Sequence, residues 1–139
     1  MDQALIDRNT INEILSYSFE LAKINHIEFD WSEKSVAGLD KLLDALHHEY
    51  TSQNESDEEA LSGVSLSLGV YLGEYIRRFM SRQSMLWYYG KPNAGGPPTP
   101  YISNGEIELY PIDWVHKHIL EGSEESVQSK VRILIEKYS

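Results

Sequence analysis

The residues best placed to do chemistry close an apolar run, in Gly69-Val70-Tyr71-Leu72-Gly73-Glu74-Tyr75-Ile76-Arg77-Arg78. Two neighbouring guanidiniums form a fork that can grip a carboxylate or phosphate through paired N–H donors. Tyr71, Tyr75 and the downstream Trp87 would stand beside such an anion as an aromatic wall. The plainer role is internal: Glu74 and Arg78 are four apart, the spacing of an ion pair on a helix surface. The candidate ligand-binding set is therefore Tyr71, Glu74, Arg77, Arg78 and Trp87.

Other constellations offer less. Trp87, Tyr88, Tyr89, Tyr101, Tyr110 and Trp114 surround the loop Asn93-Ala94-Gly95-Gly96-Pro97-Pro98, and half of these rings are expected in the core. The rest, beside a loop of that composition, would make a recognition surface. The loop lacks the Gly-Lys-Ser/Thr ending of a phosphate-binding loop. His47 and His48 are adjacent and diverge on a helix, as do His116 and His118 two apart, so neither pair offers two ligands to one metal. No serine sits in a nucleophile elbow. Glu106 and Glu108 share one face of a hairpin strand, where solvation is the plainer fate than acid/base chemistry. No catalytic residue, metal or cofactor is expected.

The elements that must position these groups follow from caps and periodicity. Thr10-Ile11-Asn12-Glu13 has the form of a capping box and predicts a helix carrying Ile11, Ile14, Leu15, Ser18, Leu21 and Ala22 on one face, ended by Asn25-His26. Ser32 predicts a second cap, before the stripe Val36, Leu39, Leu43, Leu46 and Tyr50. Ser56-Asp57-Glu58-Glu59 predicts the start of a central helix over about 57–82, apolar on most sides and so buried. Gly69 and Gly73 lie one turn apart on it, where a missing Cβ lets another element approach closely.

Strands are expected at about 85–89, 101–103 and 106–109, the last two joined by Asn104-Gly105 as a tight type I′ turn. Pro111 predicts the first residue of a short helix that Gly122 ends, and Ser123 a cap for the last one. The expected class is α+β: about five helices and a small antiparallel sheet of two or three strands, in a single domain over 1–139.

The net charge of −10 is unevenly spread. Residues 1–59 hold 14 acids against 4 Lys or Arg, residues 60–92 hold 1 against 4, and residues 93–139 hold 7 against 4. An acidic chain repels polyanions, which disfavours nucleic acid as a partner and favours a basic protein. There is no cysteine, and the first residues lack the basic and apolar segments of a secretion signal, so a cytoplasmic location is expected. The apolar run around Leu66 to Leu72 is too short to span a membrane.

Two segments together resemble a family of small uncharacterised bacterial proteins. They are Phe29-Asp30-Trp31-Ser32-Glu33-Lys34-Ser35-Val36 with Leu39-Asp40, and Leu68-Gly69-Val70-Tyr71-Leu72-Gly73-Glu74-Tyr75-Ile76-Arg77-Arg78 followed by Trp87. Tyr110-Pro111-Ile112 and Gly122-Ser123-Glu124-Glu125-Ser126 are similar to that family's closing helices. The resemblance implies a small α+β domain and brings no functional residue with it. The expected function is a non-enzymatic interaction module, of accessory or immunity type, that masks a basic partner. The alternative is a small anionic-ligand-binding protein or weak enzyme using the Glu74, Arg77 and Trp87 region.

Overall fold

The computed structural model describes residues 4–52, 57–92 and 95–138. Its order is β1 (Ala4–Leu5), α1 (Arg8–Ile24), α2 (Glu33–Ser52), α3 (Glu58–Phe79), β2 (Leu86–Gly90), β3 (Thr99–Ser103), β4 (Glu108–Leu109), α4 (Pro111–Glu121) and α5 (Val127–Tyr138). The class is α+β. The antiparallel sheet has four strands in the order β1-β2-β3-β4, one more than the two or three expected. The extra strand is β1, which pairs Ala4 with Tyr89 and Leu5 with Tyr88.

That pairing also moves the start of the first helix. Ile6 donates its N–H to the Trp87 carbonyl, and the chain turns into α1 immediately afterwards. Asp7, not Thr10, is the cap, its carboxylate accepting the Thr10 N–H at 2.8 Å. The helix ends as expected at Asn25 and His26. His26 takes φ +58°, and Ile27 N–H reaches back to the Ala22 carbonyl, closing a Schellman turn.

α3 is the centre of the molecule. Every residue from Leu68 to Ile76 is buried, including the charged Glu74. Asp57 caps it through the Ala60 N–H, while Ser56, expected in that role, lies outside the described residues. The helix stops at Phe79, and a 3₁₀ turn at Ser81–Gln83 takes up the residues expected to continue it. Its two glycines are contact points. A Cβ at Gly69 would lie 2.5 Å from the Ile112 Cα in α4, and one at Gly73 would lie 2.4 Å from the Trp87 ring. The Ser18 hydroxyl bonds the Ser67 carbonyl and fastens α1 along another side.

Trp87, Ile102 and Leu109 stand in register across β2, β3 and β4, all buried. On the opposite face Tyr101 lies between Tyr88 and Tyr110, at centroid distances of 6.1 and 5.8 Å. Tyr89 is half exposed. Asn104-Gly105 does not form a two-residue type I′ turn: only Gly105 has positive φ, and the loop is four residues long. The Asn104 side chain instead accepts the N–H groups of Glu106 and Ile107, an Asx arrangement that replaces the second left-handed residue.

The C-terminal cap also shifts. Ser123–Glu125 forms a separate 3₁₀ turn, and Ser126 precedes α5, its Oγ accepting the Ser129 N–H. Asp40 of α2 adds a cap from outside, accepting the Gln128 N–H at 3.1 Å and the Ser126 hydroxyl at 2.8 Å. Among the described residues no helix is long and apolar enough to cross a membrane.

Candidate functional site

Of the five residues singled out in the sequence, three meet. Glu74 is buried at 4% exposure in the middle of α3. Its Oε2 accepts from Arg77 at 2.7 Å and from the Trp87 indole N–H at 3.1 Å, while Arg8 of α1 holds Oε1. Arg77 also donates its Nε–H to the Met85 carbonyl at 2.8 Å. One buried carboxylate thus ties α1, α3 and β2 together. A buried charge is tolerable only when partnered this fully.

Tyr71 and Arg78 stand apart from that clip. Tyr71 stacks on Phe29 at 3.9 Å and on Trp31 at 4.6 Å, donating its hydroxyl to Ser35 and accepting the Trp31 N–H. Burial pushes its ionisation up, partly offset by the Ser35 bond. Arg78 does not pair with Glu74, the i,i+4 partner expected for it. Its guanidinium lies 3.9 Å over the Trp31 ring, a cation–π contact on the exposed side of the stack. Trp31 itself has φ +68°, and the bond to the Tyr71 hydroxyl helps hold it in that unusual conformation.

Several concavities open among the described residues, three of them around α2, α4 and the first half of α3. The largest, a cleft of about 610 Å³, lies between the Gly/Pro loop, α3 and α4. Leu66, Pro98, Tyr110 and Ile112 give it apolar surface, and four of its polar groups pair with one another. Ser65 Oγ is 3.2 Å from His116 Nδ1, and Lys117 is 3.2 Å from Asp113. The hydrogen bond to Asp113 raises the Lys117 ammonium above its ordinary range. Ser65 sits in mid-helix, with no strained elbow to present its hydroxyl.

The second is a groove of about 240 Å³ between the end of α2 and the start of α3. Leu46, Tyr50, Leu61 and Val64 floor it, and Glu49 and Asp57 stand on its rims. The third is a notch beside it, where Asp44, His47, His48, Glu121 and Glu124 line about 370 Å³. Behind the notch His118 is wholly buried, with Asp44 at 2.6 Å from Nε2 and Val127 N–H at 3.4 Å from Nδ1.

This acidic end was hidden from the sequence for a definable reason. His47 and His48 do diverge as spacing requires, and their rings are 5.8 Å apart, yet both line the same notch. The signal that could have pointed there is Asp44, three and four residues before them, joined with the acids that flank Gly122. Compared with protein-family models, curated proteins and solved structures, the chain matches none.

Proposed function

We propose that this protein is a non-enzymatic interaction module of the bacterial cytoplasm, of accessory or immunity type, which masks a basic partner with its acidic end. The observation that carries this is the groove between α2 and α3. Its floor of Leu46, Tyr50, Leu61 and Val64 is apolar, and Glu49 and Asp57 on its rims are exposed. Glu59 follows in the first turn of α3, and Glu121 and Glu124 line the adjoining notch.

An amphipathic basic helix matches that pattern, with leucine-like side chains in the groove and lysines or arginines over the rims. Like-signed acids around one groove also steer a cationic partner toward it and repel acidic competitors. Three cations at the other end of α3 are engaged within the fold, Arg8 and Arg77 by Glu74 and Arg78 by Trp31. That arrangement favours a cationic over an anionic ligand.

The test is fluorescence anisotropy with a labelled, lysine-rich amphipathic helix as probe, at two salt concentrations. Wild type is expected to bind, more weakly at high salt, and Glu49→Lys with Asp57→Lys is expected to weaken binding by at least about tenfold, or about 1.4 kcal/mol. Equal binding by wild type and the reversed variant would overturn the assignment, as would failure of the wild type to bind.

A further inference from the structure

Between the start of α2, the second half of α3 and the last helix, α5, lies a hollow of about 150 Å³. Val36, Val131 and Ile135 give it apolar surface, and Tyr75 lines it with them. Tyr75 is only 1% exposed, its ring set against Phe79 at a centroid distance of 4.6 Å. Its hydroxyl has no hydrogen-bond partner among the described residues, yet the oxygen is not sealed in, as the unpartnered Tyr101 oxygen is. The open space that the Tyr75 hydroxyl meets is this hollow. Folded proteins rarely leave a buried phenol without a bond, because its lost hydration is then uncompensated.

Charges of both signs stand round the same hollow. Glu33 comes from the first turn of α2, and Arg132 and Glu136 come from α5, all three exposed. Arg132 and Glu136 are four apart on their helix, but no ion pair joins any of the three among the described residues. Burial, with the Glu33 charge second, keeps the Tyr75 phenol protonated well above neutral pH, so its hydroxyl can both donate and accept. A lone cation in the hollow would face Arg132, and a lone anion would face two glutamates. A zwitterion satisfies both signs. The space suits a small one, since an apolar cavity of about 150 Å³ takes a benzene ring and so has room for a branched four-carbon chain.

We propose that this hollow binds a free α-amino acid with a branched apolar side chain of about leucine size. The side chain rests against Val36, Val131 and Ile135. The head group lies between Glu33 and Arg132, its ammonium toward the first and its carboxylate toward the second, with the Tyr75 hydroxyl bonded to it. The site is separate from the groove assigned to a basic helix, because no residue lines both.

The test is a nuclear magnetic resonance titration of the isotope-labelled full chain with L-leucine, isoamylamine and isocaproate, the last two each lacking one of the head-group charges. Saturable leucine binding is expected, with shifts centred on Val36, Val131 and Ile135 and with each analogue bound at least about tenfold more weakly. Tyr75→Phe, which keeps the ring, and Arg132→Gln, at an exposed position, should each weaken leucine binding severalfold while the thermal melt shows an intact fold. Glu49→Gln, on the rim of the other groove, should leave leucine affinity unchanged. Absence of saturable leucine binding would overturn the proposal, as would undiminished affinity in Tyr75→Phe. Equal affinity for either analogue would overturn it too, since a single charge would then account for recognition.

Discussion

Three glycines on one helix allow the packing of α3 to be tested quantitatively. Alanine in place of an interior helical glycine gains about 1 kcal/mol of intrinsic propensity. At Gly63 nothing lies within 4 Å of the added methyl, so Gly63→Ala should stabilise by about 0.5–1 kcal/mol. At Gly69 the methyl would stand 2.5 Å from the Ile112 Cα and 2.6 Å from its Cγ1, where carbon atoms settle at about 3.5–4.0 Å. The obstacle is backbone, so no rotamer change relieves it and α4 must retreat. An overpacking cost at the upper end of the usual range, about 3 kcal/mol, less the gain of about 1, leaves Gly69→Ala destabilised by about 2 kcal/mol.

Gly73 is intermediate. Its methyl would meet the Trp87 ring at 2.4 Å, a side chain that can tilt, but tilting strains the indole bond to Glu74. A bond to a charged group contributes about 1.5–3 kcal/mol, so Gly73→Ala should lose about 0.5–2 kcal/mol after the propensity gain of about 1. Urea unfolding followed by circular dichroism measures all three, with the slope checked for constancy before the midpoints are compared. The expected order of stability is Gly63→Ala, wild type, Gly73→Ala, Gly69→Ala. A Gly69→Ala protein as stable as wild type would refute the close approach of α3 and α4.

Two further outcomes follow from buried polar groups. Glu74→Gln keeps the shape of the clip but removes the charge that Arg8 and Arg77 share, and should cost about 2–3 kcal/mol in the same urea assay, below the range for fully buried pairs because both arginines keep some solvent. Burial, with the Glu33 charge second, pushes the Tyr75 phenol up to about 12. Its folded form therefore holds its proton longer than the unfolded one: stability from this residue is complete below about pH 10 and falls by about 1.4 kcal/mol per pH unit from there towards 12. Ultraviolet titration should show Tyr75 ionising after the exposed tyrosines, and Tyr75→Phe should flatten the alkaline loss of stability.

The helices were legible because their signals are local. The stripe from Val36 to Tyr50, the turns at Asn25 and Gly122, and Pro111 at the start of α4 each act within a few residues, and each stands where spacing put it. Caps were less secure, since several Ser, Thr and Asp residues compete over one turn. The choice of Asp7 over Thr10 is decided by Ile6, anchored to Trp87 about eighty residues away. The strand β1 is invisible for the same reason: two residues carry no periodicity, and only their partner makes them a strand.

The same distinction separates the two ends of the molecule. At one end, spacing paired Glu74 with Arg78, whereas the carboxylate goes to Arg77 one residue earlier, and its further partners, Arg8 and Trp87, come from elements that only the fold brings near. Those partners decide what the carboxylate does, because they fill its oxygens from inside. At the other end, Asp44, His47 and His48 were individually unremarkable, and it is Gly122, with no side chain at φ +88°, that keeps a notch open in front of them. A charged group buried by its neighbours and fully hydrogen-bonded holds the fold together. At the other end Glu49, Glu121 and Glu124 stay exposed, so their charge adds to the field around the molecule instead of tying elements together.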